Sequence, residues 1–336
     1  MARVDVPDQN RLVGKVADSE QHAQVSDDPD EKLTHLSPDH PSSRDYATDR
    51  VRSSAPKDAD SRSPDKEHSE RDRYVISVLA EAHKAGLTTD HEYVTDVKRR
   101  IWATERSELH GEIVKDLYAN AEAVPCEGMA ILAGGLPGAG KTSALTGVAG
   151  IDLSKYLMVN PDDIKEEMAR RGMVPEIKGL SPMEATDLVH EESSDIAKRL
   201  ANRAYADRKN VIWDVTMSSV ESMQKRIANL RTAGYEDTEG IFVDIPVEVS
   251  IKRAEARHRE GHDQYLAGRG LGGRIIPDDR ITSLADEKSG SVNRAVFEQV
   301  KAEFVRWRLY DNSVDGHEAR LAAEGTRAHD DHEEAR

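Results

Sequence analysis

Three groups of residues in this chain have the types and spacing for phosphoryl chemistry. The first runs from Gly135 to Thr142 and fits the pattern G-x-x-x-x-G-K-[ST], with Leu136, Pro137, Gly138 and Ala139 between the outer glycine and Gly140. Glycines let successive backbone N–H groups point inward around a β-phosphate. Lys141 can reach the β and γ oxygens, Thr142 can ligate Mg²⁺, and a helix opening through Ser143 offers its positive end. The second group is Asp162 and Asp163, in a segment reading Val159-Asn-Pro-Asp-Asp-Ile-Lys165. One carboxylate can act as general base toward a substrate hydroxyl while the other begins a helix. Asp162 is the expected base and Asp163 the expected helix start. The third group follows the apolar run ending at Trp213, where Asp214 can orient Mg²⁺ and Thr216 can reach a phosphate or a substrate hydroxyl.

Cations are gathered in one place. Residues 252–280 contain seven Lys or Arg against five Asp or Glu, in a chain whose net charge is -16. Arg257 and Arg259 fall on an expected helix. Arg269 and Arg274 follow on a stretch with glycines at 268, 270, 272 and 273, which predicts a mobile arginine-bearing loop able to clamp a transferring phosphoryl group and exclude water. The chain has no N-K-x-D segment for reading guanine, so the expected nucleotide is ATP rather than GTP.

Elements must exist to bring these groups together. Short apolar runs at 129–133, 156–159, 210–213, 240–243 and 306–310 read as buried strands. Helical patterns lie around them at 142–149, 162–171, 183–207, 219–233, 247–260 and 291–304. Strands alternating with helices imply parallel βαβ units, so the expected class is α/β: a P-loop NTPase-like parallel sheet covered by helices on both faces. In an open parallel sheet the carboxyl ends of the strands face the ligand crevice, and all three groups sit at such ends.

The flanks differ in texture. Residues 1–70 hold six of the thirteen prolines, and Tyr46 is their only aromatic residue. Such a segment cannot bury enough apolar surface to offset its ordering entropy, and it reads as a disordered tail, either a plain linker or a partner-binding arm. Residues 71–123 read as two or three helices; Leu109, Ile113, Leu117 and Tyr118 form one apolar stripe that packs on the following domain. The core spans 124–313, and 314–336 reads as a second solvated tail.

Composition closes off other classes. The acidic balance repels a polyanion, so nucleic acid is not an expected partner. No apolar run approaches the length of a membrane helix, and the first residues lack a signal peptide's apolar core, so the expectation is a soluble, cytoplasmic chain. Cys126 is the single cysteine, which excludes a disulfide framework and a cysteine-based zinc site.

Taken in order, G-x-P-G-A-G-K-T, N-P-D-D-I-K-E-E-M, a helix carrying H-E-E-S-S, a strand ending in D-V-T, and R-x₁₆-R ending in G-G-R-I-I-P resemble the zeta toxin family over roughly residues 105–313. That resemblance implies a P-loop kinase that phosphorylates the 3′-hydroxyl of the amino sugar in UDP-N-acetylglucosamine, with a product that starves or blocks cell-wall synthesis. It places the family's base on Asp162, its phosphate-binding lysine on Lys141 and its two arginines on Arg257 and Arg274. Asp214 and Thr216 then lie near the substrate, and either Glu191 or Glu192 supplies the carboxylate of the long middle helix. An antitoxin protein covering the nucleotide site is also implied. The residues alone equally admit a kinase for another small hydroxyl compound, such as an antibiotic or nucleoside, or a nucleotide-dependent switch.

Overall fold

A computed structural model describes residues 64–327. The expectation of disorder over 1–63 and 328–336 lies outside the described residues. Residues 64–70, expected to be tail, are instead the first turns of a helix, α1 (Pro64–Lys84). It is followed by α2 (Thr89–Tyr93), a two-stranded hairpin of β1 (Val94–Asp96) and β2 (Ile101–Trp102), and α3 (Thr104–Asn120).

The core then alternates. In chain order come β3 (Met129–Gly134), α4 (Lys141–Thr146), β4 (Leu157–Val159), α5 (Pro161–Arg170), α6 (His190–Ala206) and β5 (Val211–Asp214). These lead into α7 (Val220–Thr232), β6 (Asp237–Asp244), α8 (Val247–Leu266) and α9 (Asp278–Thr282). A small hairpin, β7 (Ala285–Asp286) with β8 (Gly290–Ser291), precedes α10 (Val292–Val300), β9 (Arg306–Asp311) and β10 (Arg320–Thr326). The expected helix over 183–207 divides into a 3₁₀ segment, Glu184–Val189, and α6.

The sheet order is β10-β9-β6-β3-β5-β4. β4, β5, β3, β6 and β9 run parallel, and β10 pairs antiparallel with β9. The second strand of that edge pair corrects the reading of 314–336 as solvated. Its sequence, RLAAEGT, has no apolar run because an edge strand bonds one neighbour only and its outer side chains meet water.

Successive residues of β3 serve opposite faces. Ala130 and Leu132 join a core cluster with Trp213, Phe242 and residues of α3, α5, α6, α7 and α10. Ile131 and Ala133 join a second cluster with Ile212, Ile241, Leu145 of α4 and Ala254 of α8. Period-two alternation with both sides apolar is what a parallel sheet covered by helices requires. Register also levels the strand ends: Ala133 pairs with Asp214, and Val159 with Trp213. The segments after β4, β5 and β3 therefore emerge side by side. Among the described residues no helix is long and apolar enough to cross a membrane.

Candidate active site

The loop after β3 is shaped by glycine. Gly135, Gly138 and Gly140 have φ of 147°, 71° and 79°. A Cβ on Gly140 would stand 2.6 Å from Asn312 Nδ2, and one on Gly138 2.8 Å from Arg253 Cβ. Side chains outside the loop take its carbonyls: Ser250 Oγ donates to Pro137 O at 2.6 Å, Arg253 Nη1 to Gly138 O at 3.3 Å and Asn312 Nδ2 to Ala139 O at 2.7 Å. Those bonds hold the loop's carbonyls on side chains outside it, which suits an anion cradle. Leu136 and Ala139 are buried in the core and contribute backbone only, whereas Thr142 and Ser143 are exposed.

The cradle opens into a cleft of about 710 Å³ lined by Lys141, Thr142, Asp162, Asp163, Glu191, Asp214, Thr216, Arg257 and Arg274. The structure thus brings these expected side chains to one cavity. Lys141 Nζ lies 3.1 Å from Asp214 Oδ1. Burial pushes the Asp214 carboxyl above the usual range, and Lys141 offsets only part of that rise. Thr142 and Asp214 present one hydroxyl and one carboxylate. Among the described residues no group of three or more His, Cys, Asp or Glu could hold a metal. That sparse set of oxygen donors fits Mg²⁺, which keeps most of its shell for water and phosphate.

Asp162 sits in the first turn of α5. The cap is Asn160, whose side chain accepts from Asp162 N at 2.9 Å, with Pro161 beginning the helix. This corrects the expectation that Asp163 starts the helix, and it releases both aspartates for the cleft. Asp162 keeps 44% of its side-chain surface open there. Surrounding protein raises its pKa, but the charges of Lys165 and Arg274 overcome that and hold the carboxyl well below the usual range. Arg274 pairs directly with Asp162, and Lys165 Nζ approaches it at 3.4 Å. Asp163 moves the other way, to about 6, through burial and the nearby charges of Asp214, Asp162 and Glu166.

Lys165 and His190 are site residues that the sequence reading passed over. Lys165 is nearly enclosed, and its ammonium also lies 3.3 Å from His190 Nδ1. The Lys165 charge and burial push His190 down to about 3, so the ring is neutral and Nδ1 accepts. The signal was available, since Lys165 stands one helical turn after Asp162.

The two carboxylates of the middle helix differ in packing. Glu192 is fully buried, taking Arg106 Nε at 2.6 Å and His110 Nε2 at 2.5 Å, and so ties α3 to α6. Glu191 faces the cleft and pairs with Arg100. Beyond β5, Met217 adopts φ 58° and Asn293 Nδ2 donates to Thr216 O at 2.6 Å, which fixes the turn presenting Thr216.

The glycine loop is only partly as expected. Gly268 and Gly270 are exposed, but Gly272 and Gly273 are wedged: a Cβ on Gly272 would collide with the Ser181 side chain, and one on Gly273 with the His258 carbonyl. That packing aims Arg274 at Asp162. Arg257, one residue before His258 on α8, lines the cleft and has no ion pair among the described residues. Arg259 turns to Glu255 at 3.5 Å, and Arg269 is exposed outside the cleft.

The zeta toxin family profile matches residues 120–315. In three dimensions the chain is similar to the AvrRxo1-ORF1:AvrRxo1-ORF2 complex crystallised with sulphate ions, with a TM-score of 0.52 and 20% identity over 70% of this chain and 76% of that one. The same complex with ATP gives a TM-score of 0.53 at 20% identity, over 70% and 76%. The PezAT chromosomal toxin–antitoxin system of Streptococcus pneumoniae gives 0.46 at 15% identity, over 66% and 81%. At these identities the likeness is one of fold. Among curated proteins none is significantly similar in sequence to this chain.

Proposed function

The chain belongs to the zeta toxin family, and from that premise we propose that it is an ATP-dependent kinase acting on a hydroxyl of a small molecule. The single observation that carries this reading is that the cradle lysine and an ionised, cleft-facing aspartate stand at the ends of strands in one parallel sheet, opening into one cavity. The ATP-bound complex of similar fold supports ATP as phosphoryl donor. The family supports UDP-N-acetylglucosamine as acceptor, through its 3′-hydroxyl, and a protein antitoxin as partner.

The residues divide the work. The backbone from Gly135 to Thr142 and the Lys141 ammonium bind and orient the donor phosphates. Bound between Thr142 and Asp214, Mg²⁺ would neutralise phosphate charge. Asp162, held ionised by Lys165, accepts the acceptor's hydroxyl proton on a carboxylate oxygen as the new O–P bond forms and the bond between the γ-phosphorus and the β–γ bridging oxygen breaks, with ADP leaving. Arg257 and Arg274 face the same space and neutralise charge developing on the transferred group. Glu191 and Thr216 orient the acceptor.

The test is mass spectrometry of UDP-N-acetylglucosamine incubated with the full chain, ATP and Mg²⁺, beside Asp162→Asn. One added phosphate with the wild-type chain, lost in the variant, supports both acceptor and base. ATP turnover with a different hydroxyl acceptor would keep the kinase and discard the sugar nucleotide. ATP binding without transfer to any of a panel of hydroxyl compounds would overturn the kinase reading in favour of a switch.

A further inference from the structure

Arg257 and Arg274 come from different segments, and the two segments meet at one buried point. The glycine loop runs against α8 so closely that Gly273 has no room for a Cβ beside the His258 carbonyl, and Gly261 has none beside the Gly273 backbone. His258 follows Arg257 directly, and its side chain is 2% exposed. Nδ1 lies 2.7 Å from Asp72 Oδ1, an ion-pair contact without hydrogen-bond alignment, and Nε2 is hydrogen-bonded to Glu184 Oε1 at 3.2 Å. Two carboxylates on either side of one enclosed imidazole favour its charged form and hold the ring between α1 and the 3₁₀ segment.

Glu184 collects the rest. It is fully buried and accepts from Ser181 N at 2.7 Å and Arg71 Nε at 3.0 Å, with His262 Nδ1 at 3.3 Å. Ser181 in turn is the residue against which Gly272 is wedged. Arg71 and Asp72 both belong to α1, which also buries Val75, Leu79 and Ala82 against Leu188. The titratable and charged groups around His258 are therefore Asp72 and Arg71 from α1, Glu184 from the 3₁₀ segment, and His262 and Glu255 from its own helix, with Arg73 of α1 and Asp278 and Asp279 of α9 across a small cavity.

We propose that Asp72 and Glu184 are positioning residues for the arginine pair. Acting through His258 and Ser181, they lock α8 and the glycine loop together so that Arg257 and Arg274 converge on one cleft. The helix α1 thereby braces the cleft's wall from outside it, although the family-matched segment begins only at residue 120. Removing one carboxylate leaves a buried cation against a single partner, and the contact between loop and helix loosens. The inference rests on the proposed roles of the two arginines, but the joint itself can be read without activity.

Amide hydrogen exchange on the full chain, comparing wild type with Asp72→Ala and Asp72→Asn, reads the joint directly. The expected result is exchange at least about tenfold faster over residues 256–260 and 271–276 in both variants, with the strands β3 and β5 unchanged. Unaltered exchange in those two segments would overturn the proposal. Turnover of ATP with UDP-N-acetylglucosamine as the probe, alongside Arg274→Ala, separates this inference from the function it rests on. A fall of about tenfold in kcat for Asp72→Ala with KM for ATP unchanged supports positioning. Full kcat in a folded Asp72→Ala while Arg274→Ala is inactive would refute it. Full kcat in Arg274→Ala would instead refute the assigned role of the arginine.

Discussion

The Lys165 ammonium stands 3.4 Å from the Asp162 carboxylate, one turn further along α5, in the lining of the cleft. Its charge is the largest favourable influence keeping Asp162 ionised. A lowered carboxyl pKa means that the base is available down to low pH and is lost only when protonated. In Lys165→Met the Asp162 pKa rises, so the acid limb of kcat/KM moves to higher pH. At neutral pH, where Asp162 is ionised in both proteins, kcat is expected to change far less than it does on the acid limb. A pH–rate profile of wild type and variant checks both statements.

Lys141 and Asp214 form another close charge pair in the cleft. Lys141→Ala removes a charge-assisted contact to donor phosphate and is expected to weaken ATP binding by about 10- to 100-fold. Calorimetric titration of ATP in the presence of Mg²⁺ measures the loss. An affinity equal to that of the wild type would mean that the loop does not hold the donor.

His258 makes stability depend on pH. Burial would lower its pKa, but Asp72 and Glu184 raise it from 6.5 to about 9. A folded-state pKa above the unfolded one gives stabilisation that is complete below 6.5 and fades as pH rises through about 9. Glu184 is displaced in the opposite direction, to about 2, so its share is present above 4.5 and fades as pH falls toward 2. The Tm difference between wild type and His258→Gln should accordingly be greatest between 4.5 and 6.5 and shrink by pH 9. A difference independent of pH would show that the ring is neutral in the fold.

Asn293 holds the carbonyl of Thr216 next to the left-handed Met217. Asn293→Ala frees that carbonyl and lets the turn relax, at a cost of about 1 kcal/mol in stability. The larger effect is expected on the acceptor, whose KM rises several-fold while KM for ATP stays constant. Steady-state kinetics with each substrate varied in turn distinguishes the two.

Much of this was legible in the residues. The run Met129-Ala-Ile-Leu-Ala133 followed by a glycine signature specifies a buried strand and a cradle within one short segment, and the structure has both. Asp162 and Asp214 could be assigned to the cleft because each follows an apolar run, and strand ends in a parallel sheet share one side. The helix start at Asn160 was readable as well, since Asn before Pro is a strong cap-and-first-residue pair. Other features could not be read locally. Glu184 and His258 are 74 positions apart, and no periodicity announces such a contact. The difference in packing between Glu191 and Glu192 is made by Arg106 and His110 on another helix. β10 escaped notice because the pairing that stabilises it belongs to its neighbour, β9.

The order β4-β5-β3 has a geometric consequence. The base and the cradle are carried by strands separated by exactly one other, so two strand spacings, about 10 Å, set the gap between them. That interval is built from backbone hydrogen bonds and is insensitive to side-chain change. The sheet thus acts as a fixed gauge between the Asp162 segment and the glycine cradle, while the walls contributed by α6 and the glycine loop are free to vary. New acceptors can be accommodated by recutting those walls without resetting the gauge.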